Sequence, residues 1–136
     1  MFGWVCGEFW RRWLACGLLA LAAPAGAAGE TVIRLASGAE IASQRYPAEG
    51  PVLAVWITGQ FGSVEEEHKA AADMAAQGVE TWLTDFIAPY FLPLVASSWN
   101  RVPDSDLAEW LDVLRQRYPD RRIVLVSTGR AAALAL

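Results

Sequence analysis

Residues 122–136 read Arg-Ile-Val-Leu-Val-Ser-Thr-Gly-Arg-Ala-Ala-Ala-Leu-Ala-Leu. Arg122 to Ser127 is a short apolar run rich in β-branched residues, as expected of a strand buried on both faces. Thr128-Gly129-Arg130 supplies turn chemistry, and Ala131 to Leu136 has the composition of the first turns of a helix. A strand that passes through so short a turn into a helix is the building step of an α/β sheet.

The segments upstream repeat this step. From Asp104 the spacing of Leu107, Leu111, Leu114 and Tyr118 predicts a helix with one apolar stripe, Trp110 beside it and Pro119-Asp120 as its end. Phe86 to Pro103 holds three prolines and reads as a long excursion with a short helix inside it. Val79 to Asp85 predicts a strand, and Ser63 to Gln77 a helix. Ser63 and Glu66 form a capping-box pattern, Glu65 to Glu67 load the positive end of the helix dipole, and Gly78 stands where a left-handed stop is needed. Val52 to Thr58 (VLAVWIT) is another doubly buried strand, preceded by a linker from Pro47 to Pro51. Thr31 to Leu35 and Glu40 to Tyr46 alternate apolar and polar residues around Ala36-Ser37-Gly38, which predicts a β-hairpin. A hairpin followed by strand–helix–strand–helix–strand implies parallel strands with crossover helices in three α/β/α layers.

The first residues read as an address. Arg11 and Arg12 precede an apolar stretch from Trp13 to Ala23, and Pro24-Ala25-Gly26-Ala27-Ala28 offers an A-x-A exit. This describes a secretory signal peptide over residues 1–27, leaving a domain at 28–136 that is periplasmic or secreted. The alternative is a retained N-terminal membrane anchor, although the apolar run is short for a span and is interrupted by Pro24. Membrane contact is expected only if the leader is retained. Cys6 and Cys16 both lie in the leader, so the domain depends on packing without disulfides. Of the charges, nine basic and fourteen acidic residues fall after residue 27, and the whole chain carries −4. An acidic chain with scattered arginines and a single lysine, Lys69, excludes a nucleic-acid surface.

The order of elements over about residues 30 to 136 resembles the N-terminal half of the α/β-hydrolase family. Val52 to Thr58 with Gly59-Gln60-Phe61-Gly62 resembles that family's third strand and oxyanion loop. Thr81 to Asp85 resembles the fourth strand, and Ile123 to Leu136 the nucleophile elbow with its helix. The resemblance implies ester or related acyl hydrolysis. It places Gly59, Gln60 and Arg130 at oxyanion-loop-like positions. It also makes Arg122 to Ser127 a central strand, so its far edge would be open here and the chain would be the front part of a longer protein.

The family's elbow keeps small residues two before and two after the nucleophile, because strand and helix approach closely there. With the apex at 129 the flanks are Ser127 and Ala131, both small. An apex at Thr128 has Val126 and Arg130 as flanks, and one at Ser127 has Leu125 on one side. Position 129 fits, and Gly129 has no oxygen with which to attack a carbonyl. Ser127 and Thr128 stand as alternative nucleophiles. The acid and His that follow the elbow in the family have no counterpart in the seven residues after Gly129, so the chain is expected to be inactive by itself.

Other features read as structural. His68, the sole histidine, reads as surface or edge packing, and Asp85 as a loop cap. Glu65-Glu66-Glu67 reads as a solvated helix start, since one helix cannot aim three consecutive side chains at one metal. Of the seven tryptophans, the four beyond the leader, Trp56, Trp82, Trp99 and Trp110, read as core and rim, with ligand stacking the alternative for Trp99. No phosphate-loop or dinucleotide fingerprint occurs, and no cofactor or metal is expected. The alternative function is a non-catalytic module whose cleft holds a small ligand or a partner. Arg130 would draw a small carboxylate or an ester, and a partner chain would cover the open sheet edge.

Overall fold

The computed structural model describes residues 27–59, 61–129 and 131–132. The leader expected at residues 1–27 lies almost wholly outside these, as do Gln60 and Arg130. Five strands and two helices follow one another as β1 (Gly29–Arg34), β2 (Glu40–Tyr46), β3 (Val52–Ile57), α1 (Glu65–Ala76), β4 (Glu80–Thr84), α2 (Asp104–Arg117) and β5 (Arg122–Ser127). Two 3-10 turns, Ala88–Tyr90 and Ala96–Arg101, shape the excursion between β4 and α2.

The strands form one sheet in the order β1-β2-β4-β3-β5. β1 and β2 pair antiparallel from Gly29↔Arg45 to Arg34↔Glu40, closed by a turn in which Gly38 takes a φ of +88°. β2 runs antiparallel to β4, while β3 runs parallel to both β4 and β5. Successive side chains point to opposite faces. Leu53, Val55 and Ile57 therefore share one face with Trp82 and Ile41, and Leu107, Trp110 and Leu114 of α2 join them in a single core cluster. The opposite face carries Tyr46, which reaches His68 of α1. The sheet thus lies between α1 and α2. Phe86 and Trp110 meet edge to face at 5.1 Å between ring centroids, and Trp99 is buried in the same core, which leaves no free ring for stacking.

Helix α1 begins at Glu65, one residue later than a cap at Ser63 implies. Val64 occupies the N-cap, and its N–H donates to the carboxylate of Glu67, not Glu66, at 3.3 Å. Glu67, Ala71 and Ala75, spaced by four, form the buried stripe of α1. Glu65 and Glu66 are exposed, whereas Glu67 is buried, so the acidic trio is not uniformly solvated. Gly78 takes a φ of +87° beyond the helix end. Its carbonyl oxygen lies 2.0 Å from where a Cβ on Gly50 would sit, so the linker after β2 is pinned against this stop.

Strand β5 differs from expectation. Its apolar sequence predicts burial on both faces, yet its residues are exposed or half-buried, and Val124 is 36% exposed. The reason is its place in the sheet. Among the described residues it pairs only with β3, so one ladder edge is open.

Two buried carboxylates tie the elements together. Glu80, fully buried, accepts hydrogen bonds from Arg45 Nε at 2.7 Å, Arg121 Nη1 at 2.6 Å, Trp82 Nε1 at 2.9 Å and Tyr118 Oη at 3.2 Å. Burial pushes its carboxyl up, but the donors from Arg45, Trp82 and Arg121 outweigh this and hold it at about 2. Asp106, in the first turn of α2, accepts from Ser37 Oγ at 2.6 Å and Tyr90 Oη at 2.7 Å, which lowers its carboxyl. It joins the hairpin turn, the excursion and α2.

Candidate functional site

The C-terminal ends of β3 and β5 lie side by side because the two strands are parallel neighbours, with Ile57 opposite Ser127. The chain leaving β3 forms a tight loop. Gly62 N–H donates to the Gly59 carbonyl at 3.1 Å, and Gly62 holds a φ of +75°. The chain leaving β5 turns at Gly129 with a φ of +61°, a left-handed conformation that a residue with a Cβ adopts only at a cost. A Cβ on Gly59 would lie 3.7 Å from Thr128 Oγ1, so loop and turn approach closely.

Between them opens a cleft of about 310 Å3, lined by Gly59, Phe61, Gly62, Val64, Glu67, Thr128 and Gly129. Phe61 is 70% exposed at its rim. Thr128 donates its hydroxyl to Glu67 Oε1 at 3.0 Å, while Glu67 Oε2 accepts from Val64 N–H. One carboxylate thereby ties the start of α1 to the turn after β5. The structure brings together Gly59, Thr128 and Gly129 from the sequence-derived set. Ser127 does not line the cleft, because in register with Ile57 it points to the α2 face. Gln60 and Arg130 lie outside the described residues. Ala131 is fully buried, as a small residue two beyond the turn.

The other two polar residues considered from sequence divide. Asp85 Oδ1 accepts the N–H groups of Ile87 at 2.6 Å and Ala88 at 3.2 Å, so it caps the first 3-10 turn. His68 is not merely edge packing. Its Nδ1 lies 2.6 Å from Tyr46 Oη and its Nε2 2.8 Å from Ser63 Oγ. Glu67 as a wall of the cleft was missed as well. The four-residue spacing of Glu67, Ala71 and Ala75 was the available signal. The Tyr46–His68 contact spans a helix and a strand and has no sequence signal. Among the described residues no group of three or more His, Cys, Asp or Glu side chains could hold a metal ion. Among the same residues no helix is long and apolar enough to cross a membrane.

Solved structures share this chain path. The thioesterase domain from the curacin biosynthetic pathway superposes with a TM-score of 0.57 at 20% identity, over 80% of this chain and 38% of that one. The protein Est1E from Butyrivibrio proteoclasticus gives 0.56 at 17% identity, over 79% and 43%. A protein described as having the α/β-hydrolase fold, of unknown function, gives 0.57 at 10% identity, over 80% and 37%. The chain has the α/β-hydrolase fold. An epoxide hydrolase from Vigna radiata follows the same path, with a TM-score of 0.54 at 12% identity. In α/β-hydrolase terms this chain spans between about a third and a half of the matched structures. No family model and no curated protein matches the sequence.

Proposed function

We propose that this is an exported α/β-hydrolase-fold domain whose elbow performs no acyl transfer. The observation that carries this reading is Gly129. It holds a left-handed backbone at the turn after β5, between small residues at 127 and 131, and it brings no nucleophile. The two hydroxyls beside it do not substitute. Thr128 is engaged by Glu67, and Ser127 faces away from the cleft. Removal of residues 1–27 would place the domain in the periplasm or outside the cell, and N-terminal sequencing of the exported chain checks that step.

The test at the turn is residue mapping. Intact protein treated with a fluorophosphonate probe, digested and analysed by mass spectrometry should show no adduct on Ser127 or Thr128. An adduct on either, or an ester-cleaving rate abolished by Ser127→Ala, overturns the reading.

The second reading is a binding cleft, supported by the pocket that Gly59, Phe61, Gly62 and Val64 form against Thr128 and Gly129. A carboxylate ligand there depends on Arg130 outweighing Glu67. Small carboxylates should raise the melting temperature, and Arg130→Ala should remove the effect. No shift with any anion counts against it. The side of β5 left unpaired among the described residues supports a partner chain covering that edge; light scattering that reports a monomer up to high concentration argues the opposite.

A further inference from the structure

A second polar constellation lies on the α1 side of the sheet. Tyr46 ends β2, Ser63 lies in the loop before α1, and His68 sits on the first turns of α1. Both imidazole nitrogens are engaged by hydroxyls, Tyr46 Oη at Nδ1 and Ser63 Oγ at Nε2. The Tyr46 and His68 rings stand 6.2 Å apart between centroids at 54°. Ser63 is exposed, so its oxygen is accessible to an incoming molecule. Burial pushes the Tyr46 phenol up, which keeps it a neutral hydroxyl at ordinary pH.

Ser63 and His68 line a cavity of about 180 Å3 with Thr58, Leu83 and Asp85 at the ends of β3 and β4, and Ala42 and Gln44 of β2. A serine hydroxyl on an imidazole whose other nitrogen is held by a third group has the arrangement of an activated nucleophile. We propose that Ser63, with His68 as its base and Tyr46 as a positioning residue, cleaves small, uncharged, activated acyl esters. This site is separate from the reading at Gly129 and uses none of its residues.

The chemistry balances with water as co-reactant. Ser63 Oγ bonds to the acyl carbon as its proton passes to His68 Nε2. The tetrahedral adduct expels the alkoxide or phenoxide, which takes up that proton. Water then adds to the acyl-serine, giving its proton to Nε2, and collapse releases the carboxylic acid and returns a proton to Ser63. Catalysis requires the tautomer in which Nδ1–H donates to Tyr46 Oη, leaving Nε2 free to accept from Ser63. When the phenol donates to Nδ1 instead, Nε2–H donates to Ser63 and the serine is idle. Glu30 and Asp85 on the cavity wall repel anionic acyl groups, which sets the substrate class.

The intact chain is treated with a fluorophosphonate probe and assayed separately on para-nitrophenyl acetate. The adduct should map to Ser63 and disappear in Ser63→Ala. His68→Gln should lower the esterase rate on the order of 100-fold. Tyr46→Phe should lower kcat about tenfold with little change in KM, since the phenol orients the base without touching substrate. An anionic hemiglutarate of the same phenol should react about tenfold more slowly than the acetate. Absence of any adduct on wild-type protein, or an adduct elsewhere, overturns the proposal without depending on how any variant folds. A rate unchanged in Ser63→Ala does the same.

Discussion

The carboxylate of Glu67 accepts the hydroxyl of Thr128 at 3.0 Å, joining the first turn of α1 to the turn after β5 across 61 residues of sequence. The same carboxylate caps Val64 N–H. Thr128→Val removes one hydrogen bond and should cost about 1 kcal/mol. Glu67→Ala removes both and should cost about 2 kcal/mol. A double-mutant cycle by urea unfolding checks the coupling, expected at about 1 kcal/mol; independent effects would show that the two ends of the cleft are not held together.

Glu80 makes stability depend on acid. Its carboxyl stands at about 2 in the fold, below the ordinary glutamate value, so its contribution is fully present above about pH 4.5 and is lost as pH falls toward 2. The loss from this group is on the order of 3 kcal/mol. Asp106, also lowered, acts in the same direction. Unfolding free energies measured between pH 6 and pH 3 should fall for the wild type and fall less for Glu80→Gln, which starts lower at neutral pH. Parallel slopes would remove Glu80 from the account.

Asp106 joins three segments through donors that are neutral, so each hydrogen bond goes to a buried charge. Tyr90→Phe should cost about 1.5 kcal/mol. Asp106→Ala leaves both Ser37 and Tyr90 without their acceptor and should cost about 3 kcal/mol. Thermal unfolding followed by near-ultraviolet circular dichroism checks the order. A larger effect for Tyr90→Phe than for Asp106→Ala would contradict it.

Two glycines separate backbone strain from steric contact. Gly129→Ala meets no atom within 4 Å but must hold a φ of +61°, so it should cost about 1 kcal/mol. Gly50→Ala would place its Cβ 2.0 Å from the Gly78 carbonyl oxygen; it forces the linker off the end of α1 and should cost about 3 kcal/mol or more. Denaturant midpoints of the two variants test the ranking.

The elements were legible because each has a local cause. The hairpin follows from alternation about Ser37-Gly38, α1 from its acidic start and Gly78, and β3 from an unbroken apolar run. Their order then selects a parallel sheet, since β3, β4 and β5 are each separated by a crossover helix. The exposure of β5 could not be read from its residues. Ile123, Val124, Leu125 and Val126 suit a buried strand, and only the sheet order shows that one ladder edge lacks a neighbour among the described residues.

The candidate site divides along the same line. Sequence by itself determined what residue stands at the turn after β5 and that it carries no hydroxyl, because identity and local spacing are properties of the chain. Tertiary structure alone decided that Glu67 turns inward to hold Thr128, that Ser127 faces away from the cleft, and that Ser63 and Tyr46 meet on His68. Thr128 meets Glu67 across 61 residues and Tyr46 meets His68 across 22, and even the local Ser63–His68 contact depends on the face that α1 presents; strand register and helix facing are encoded in no single stretch of residues.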